Sequence, residues 1–236
     1  MSKLTIGVLG GMGPQATCDL FQKIIDATPA KRDQDHVHVI IDNNPQVPDR
    51  TSFFLGKGVD PTDELIAMAK RLEAAGCDFL IIPCNTAHFF AKAVEAAVGI
   101  PFLSMIDNVA EVAAKLVPPG SAVGIMATDG TLQNRLYHDA LEKVGLVPMV
   151  PDAEAQAQVM EIIYGPEGVK AGVLDQKLRL SAQQVANGLI ARGAAAIIAG
   201  CTEIPLVLAD GDVSVPVLDS TGLLAKAAVE RALASS

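Results

Sequence analysis

The stretch Gly76-Cys77-Asp78-Phe79-Leu80-Ile81-Ile82-Pro83-Cys84-Asn85-Thr86 is answered later in the chain by Gly193-Ala194-Ala195-Ala196-Ile197-Ile198-Ala199-Gly200-Cys201-Thr202-Glu203, at an offset of 117. In each copy a glycine precedes a short apolar run that ends in a cysteine and two polar residues. An apolar run of this length bounded by turn residues fits a strand buried on both faces, the environment of a parallel sheet. Working outward, Ile6-Gly7-Val8-Leu9 matches Val123-Gly124-Ile125-Met126 at the same offset of 117, and Ile100-Pro101 matches Val215-Pro216 at 115. Two segments in one register and a third displaced by a short deletion mean that one unit of structure is used twice.

Within the first copy, residues 3–9 read as a buried strand. Gly10-Gly11-Met12-Gly13-Pro14 is a tight turn whose proline opens a helix through Phe21 and Ile25. A second strand is expected over residues 37–41, then a proline-punctuated loop to Arg50, a helix over 65–72 and a strand over 79–82. A short helix with Phe89 and Val94 follows Cys84, and residues 102–105 are expected to form a fourth strand. Strand–helix–parallel strand connections are right-handed, so each half is expected to be a doubly wound, mostly parallel α/β sheet that binds ligands at its carboxyl edge. Cys84 and Cys201 each follow a strand, so if the halves face each other the thiols do too. The expected domains are residues 1–108 with 219–236, made discontinuous by a last helix that returns to the first half, and residues 109–218.

The 236 residues suffice for two such cores. Half are apolar, aromatics are only 4% and Trp is absent, so packing must rest on Ala, Val, Ile and Leu. A net charge of -9 without any Lys/Arg cluster argues against nucleic acid or an anionic membrane as a partner. No apolar run approaches the roughly 20 residues of a membrane span, and the stretch 4–9 is too short for a signal peptide. A cytoplasmic location follows as an expectation. There the four cysteines would be thiols, and their spacing fits no zinc site, so no metal is expected.

A lone cysteine after an apolar strand is ordinarily a packing residue, and Cys18 and Cys77 are read that way. Cys84 and Cys201 differ, because polar residues follow them at equivalent positions of both copies. Two opposed thiols suit the removal and return of a weakly acidic C–H proton, one as thiolate base and the other as acid on the opposite face. A thiol with a pKa near 8.5 is only about a few per cent ionised at neutral pH, so nearby donors or cations must assist. A helix starting after each cysteine would supply N–H groups and partial positive charge, with Asn85, Thr86 and Thr202 as short side-chain donors.

These residues also resemble the aspartate/glutamate racemase family. The likeness lies in the Gly10–Pro14 turn, the loop Asp42-Asn43-Asn44-Pro45-Gln46-Val47-Pro48-Asp49-Arg50-Thr51, Pro83-Cys84-Asn85-Thr86-Ala87-His88, Gly168-Val169-Lys170-Ala171-Gly172 and Gly200-Cys201-Thr202-Glu203. The resemblance implies cofactor-independent, two-base racemisation of an acidic amino acid in a cleft between two pseudo-symmetric domains of a homodimeric enzyme. Cys84 and Cys201 would be the bases, and Met12, Gln46, Arg50, Asn85, Thr86, Lys170, Thr202 and Glu203 the substrate contacts. Thr128 joins them through the repeat, since it stands opposite Gly11. In glutamate-specific relatives a histidine follows Gly-Cys-Thr, so Glu203 turns the reading toward aspartate. Arg50 and Lys170 would hold the side-chain carboxylate against the protein's negative field.

Two other classes compete. Gly11-Met12-Gly13-Pro14-Gln15-Ala16 after a strand, with Asp42 ending the next, matches the dinucleotide fingerprint of an oxidoreductase. The second copy reads Ala127-Thr128-Asp129-Gly130 at this turn, a redox enzyme would leave the paired cysteines unexplained, and an NADH titration separates the readings. A non-catalytic amino-acid-binding protein is the other. His36 and His38 alternate on a strand without a third metal ligand, and His88 lies one helical turn from Cys84, where it is read as a packed imidazole.

Overall fold

β1 (Ile6–Gly10) contains no polar side chain and is buried along its whole length. In the computed structural model, which describes residues 3–234, it is followed by α1 (Pro14–Ala27), β2 (Val39–Asn43), α2 (Arg50–Phe54), α3 (Thr62–Ala74), β3 (Phe79–Ile81), α4 (Ala91–Ala97) and α5 (Met105–Leu116). The strands pair parallel in the order β2-β1-β3. A second passage contains β4 (Ala122–Met126), α6 (Asp129–Gln133), α7 (Leu136–Lys143), β5 (Val147–Met149), α8 (Ala153–Tyr164), α9 (Gln176–Ala191), β6 (Ala194–Ala199) and β7 (Val217–Asp219). Its four strands are also parallel, in the order β5-β4-β6-β7. The last helix, α10 (Ser220–Ala234), completes the first unit: one compact unit is Met1–Met105 with Thr221–Ser236, the other Ile106–Ser220. Ala232 accepts a backbone hydrogen bond from Leu4 at 3.1 Å, and Arg231 lies 5.0 Å over the Phe79 ring, which fastens α10 beside β1 and β3.

The fold is α/β with wholly parallel sheets, and the sequence repeat is visible in how each sheet packs. Gly7 pairs with Leu80 and Gly124 with Ile197. A Cβ on Gly7 would sit 2.8 Å from Leu80 Cδ2, and one on Gly124 2.6 Å from Ile197 Cδ1. The same glycine in each copy makes room for the same neighbouring-strand side chain, which is why the register survives where most other residues differ. Each unit has its own apolar core. Leu65, Met68 and Leu72 of α3 cover one, and Val159, Ile162 and Ile163 of α8 with Val185 and Leu189 of α9 cover the other.

Several local expectations are corrected. Residues 102–105 do not form a strand: Phe102 alone bridges to Leu80, and Met105 already begins α5, its N–H turned to His88 Nε2 at 3.0 Å. The equivalent ladder position in the second unit, Ile197 with Val217, extends into β7. β2 starts at Val39, so neither His36 nor His38 lies in the strand, and His36 closes a single turn at Asp33–Asp35. In α1 the buried stripe is Ala16, Thr17, Leu20 and Ile24, so Phe21 is exposed and Cys18 is a surface thiol rather than a packing residue. No helix among the described residues is long and apolar enough to cross a membrane.

Candidate active site

In the second unit the ladder between β4 and β6 runs one residue past the strand, as Gly200 donates to the Met126 carbonyl at 2.8 Å, and the chain then turns at Cys201. Gly200 is required there: a Cβ would lie 2.9 Å from Tyr137 Cε2 and 3.1 Å from Ala127 Cβ. Tyr137 is wholly buried and hydrogen-bonded to Ser220, whose hydroxyl donates to the Ala199 carbonyl at 2.8 Å. Burial pushes the Tyr137 phenol far above its ordinary value, so it stays neutral behind the cysteine.

Glu203 gathers the polar groups around Cys201. The thiol donates to Glu203 Oε2 at 2.9 Å, Thr202 Oγ1 donates to the same oxygen at 3.2 Å, and Lys170 Nζ donates to Oε1 at 2.7 Å. Burial pushes the Cys201 thiol well above the ordinary range, the negative Glu203 pushes it further, and Lys170 pulls it back. Lys170 sits in the single turn Val169–Ala171, 5.4 Å from the centre of the Tyr164 ring. Thus Cys201, Thr202, Glu203 and Lys170 are brought together. The lysine reaches the cysteine's carboxylate partner rather than standing as an isolated cation, and Glu203 contacts the sulfur. Thr128 caps α6, its hydroxyl accepting from Thr131 N–H at 3.4 Å, two residues past the end of β4.

In the first unit, Cys84 is buried in one cluster with Met12 and Val47, and Asn85 and Thr86 beside it are also buried. His88 accepts from Met105 N–H through Nε2, which places its own proton on Nδ1, 2.9 Å from the Cys84 carbonyl oxygen. The imidazole therefore ties the cysteine's backbone to the start of α5. Arg50 opens α2, whose cap is Asp49, accepting from Ser52 N–H at 2.7 Å. Its buried guanidinium donates to the carbonyls of Met12 (3.3 Å), Val47 (3.4 Å) and Pro48 (3.2 Å), so it spans the loops that follow β1 and β2. Gln46 is exposed, its N–H donating to Asn44 Oδ1 at 2.9 Å. The structure joins Met12 to Arg50 directly and leaves Gln46 at the surface.

The short helix expected after Cys84 is present, with the tight turn Thr86–Phe90 running directly into α4 and carrying Phe89 and Val94. After Cys201 the helix is missing: Ile204–Leu206 is a three-residue turn with too few aligned peptides to act as a dipole on the thiol. The dinucleotide reading also loses its local support. Gly11 adopts φ +91°, and a Cβ there would lie 2.3 Å from the Asn44 carbonyl carbon, so this glycine serves the close approach of two loops. Its N–H donates to Thr17 Oγ1 at 2.9 Å, and Asp42 is held by Arg71 at 2.8 Å. Sequence reasoning passed over Tyr137 and Ser220. The signal that could have pointed to a close neighbour there is the glycine at 200 where the other copy has Pro83, since a strand-end glycine marks a close approach, here of the Tyr137 ring.

The sequence profile described as Asp/Glu/Hydantoin racemase matches residues 9–228. The chain is 29% identical to the broad specificity amino-acid racemase RacX of Bacillus subtilis, over 97% of this chain and 98% of that one. Its fold superposes on the Picrophilus torridus aspartate racemase with a TM-score of 0.85 and 30% identity, covering 97% and 94% of the two chains. An aspartate racemase homologue from Pyrococcus horikoshii gives a TM-score of 0.77 at 30% identity, covering 98% and 99%.

Proposed function

The chain belongs to the Asp/Glu/hydantoin racemase family, and from that premise we propose that it racemises a small acidic amino acid, aspartate ahead of glutamate, by proton transfer between Cys84 and Cys201 without a cofactor. One cysteine, as thiolate, takes the Cα proton. The other, as thiol, gives its proton to the opposite face of the same carbon, and the roles exchange in the reverse direction. The observation that supports this reading most is the duplication itself: in both units the equivalent strand, β3 or β6, is followed within a few residues by a buried cysteine and then two buried polar residues. Packing alone would not place Asn85-Thr86 and Thr202-Glu203 there.

Arg50 would bind the side-chain carboxylate, because it is a buried guanidinium already oriented by three carbonyls. Lys170 would contribute the second positive charge, and Asn85, Thr86 and Thr202 the short donors for the α-carboxylate. The relative named for broad specificity makes neutral amino acids a necessary part of the substrate panel. The test uses purified protein with no added pyridoxal phosphate and both enantiomers of aspartate, glutamate and several neutral amino acids. Chiral chromatography and deuterium uptake at Cα are followed. Aspartate should racemise, and Cys84→Ala or Cys201→Ala should each lose roughly 10²–10⁴-fold. Full activity in either variant rejects the two-base assignment, and no turnover of any substrate rejects the function.

A further inference from the structure

Both carboxylate oxygens of Glu203 are engaged inside the second unit. Oε2 receives the Cys201 thiol at 2.9 Å and the Thr202 hydroxyl at 3.2 Å, while Oε1 receives the Lys170 ammonium at 2.7 Å. The Glu203 side chain is only 6% exposed, Lys170 is 24% exposed, and Cys201 is buried. We propose that Glu203 is a positioning residue that keeps Cys201 in the thiol form, with Lys170 setting how firmly, so that Cys201 is the proton donor of the resting pair and Cys84 the acceptor. Its consequence for turnover rests on the two-cysteine reading above; the protonation of Cys201 does not.

The physical argument is directional. An ionised carboxylate can only accept, so the hydrogen between Sγ and Oε2 belongs to the sulfur. Removing that hydrogen would put a thiolate beside a carboxylate in a buried site, which like-charge repulsion and burial both oppose. The other ionisable groups facing this corner do not reverse the balance. Tyr137 on α7 is a neutral buried phenol, and Asp219 at the end of β7 adds negative charge near it. Lys170 is the cation that works in the opposite sense.

In the forward step the substrate C–H bond breaks, its proton goes to the Cys84 thiolate, and the Cys201 S–H bond breaks as its proton forms the new C–H bond. Cys201 is left as thiolate and Cys84 as thiol, with no net gain or loss of protons. The two enantiomers have the same free energy, so kcat/KM is equal in both directions whichever thiol rests protonated. The readout must therefore be the sulfur itself.

The full-length protein labelled with ¹³Cβ-cysteine is titrated by NMR, with the Cys201 signal assigned by its loss in Cys201→Ser. The Cys201 midpoint should lie above the ordinary thiol value of about 8.5. Glu203→Gln should lower it by roughly one pH unit or more, and Lys170→Met should raise it. A wild-type midpoint at or below the ordinary value overturns the proposal, as does a Glu203→Gln variant that titrates like wild type. If Glu203→Gln does not fold, a midpoint that stays put or falls in Lys170→Met overturns it equally. Racemisation by the same wild-type sample is assayed in parallel. Its absence, with Cys201 titrating as expected, rejects the functional reading and leaves the role of Glu203 intact; racemisation with an ordinary Cys201 titration does the reverse.

Discussion

Substituting Gly200 by alanine tests whether the turn before Cys201 is set by the ring behind it. The added Cβ would lie 2.9 Å from Tyr137 Cε2, 3.1 Å from Ala127 Cβ and 3.3 Å from the Met126 oxygen. Carbon–carbon contacts settle at about 3.5–4.0 Å, so the ring or the turn must move by roughly 0.6 Å. The ring has little room to yield, because Tyr137 is fully buried and fastened to Ser220. Overpacking of this kind costs about 1–3 kcal/mol, a fall in melting temperature of roughly 3–15 °C for a unit of this size. The displacement passes directly to Cys201, and misplacing a reacting group by about 1 Å can cost on the order of 100-fold, so kcat should drop by roughly tenfold or more. The control is Gly188→Ala, on the exposed face of α9, where an added Cβ meets nothing within 4 Å. That change should stabilise by about 0.4–1 kcal/mol through helix propensity and leave turnover unchanged. Calorimetry and the racemisation assay on both variants decide the matter. If Gly200→Ala melts with wild type and keeps full activity, or if Gly188→Ala falls as far, the steric argument is wrong.

Arg50→Ala should reduce kcat/KM for aspartate by roughly 100-fold, mainly through KM, because a charge-assisted hydrogen bond is worth about 1.5–3 kcal/mol. Neutral amino acids that turn over should lose much less, and equal losses for both classes in steady-state kinetics would remove Arg50 from carboxylate recognition. Thr128→Ala should destabilise the second unit by about 0.5–1 kcal/mol, the low end for a lost cap because the hydroxyl-to-amide distance is a long 3.4 Å. Denaturant unfolding reads this directly, and an unchanged midpoint would mean that Thr128 contributes nothing as a cap.

The parts of the fold that could be read from sequence are those encoded by contiguous residues. The glycines at 7 and 124 and the apolar runs around them repeat at one spacing, and the structure pairs each with the side chain that needs the space. Periodicity was less informative about which face of an element is buried. In α1 the apolar residues Leu20, Phe21, Ile24 and Ile25 leave the stripe ambiguous by one position, and packing against the sheet chose Leu20 and Ile24, which turned Phe21 and Cys18 outward. The strand expected at 102–105 failed for a similar reason: its apolar residues satisfy either a strand or a helix start, and the His88 bond to Met105 favours the helix.

Sequence alone determined that this chain is a duplicated parallel α/β protein with a cysteine at one equivalent strand end of each half, because strands, turns and repeats are local patterns whose meaning does not depend on distant residues. Tertiary structure decided what surrounds those cysteines. Lys170 and Glu203 are separated by 33 residues in the chain yet meet at 2.7 Å, and Arg50 reaches back 38 residues to Met12. The charge and hydrogen bonding felt by a buried thiol come from groups that only folding brings near it, and no spacing along the chain specifies them.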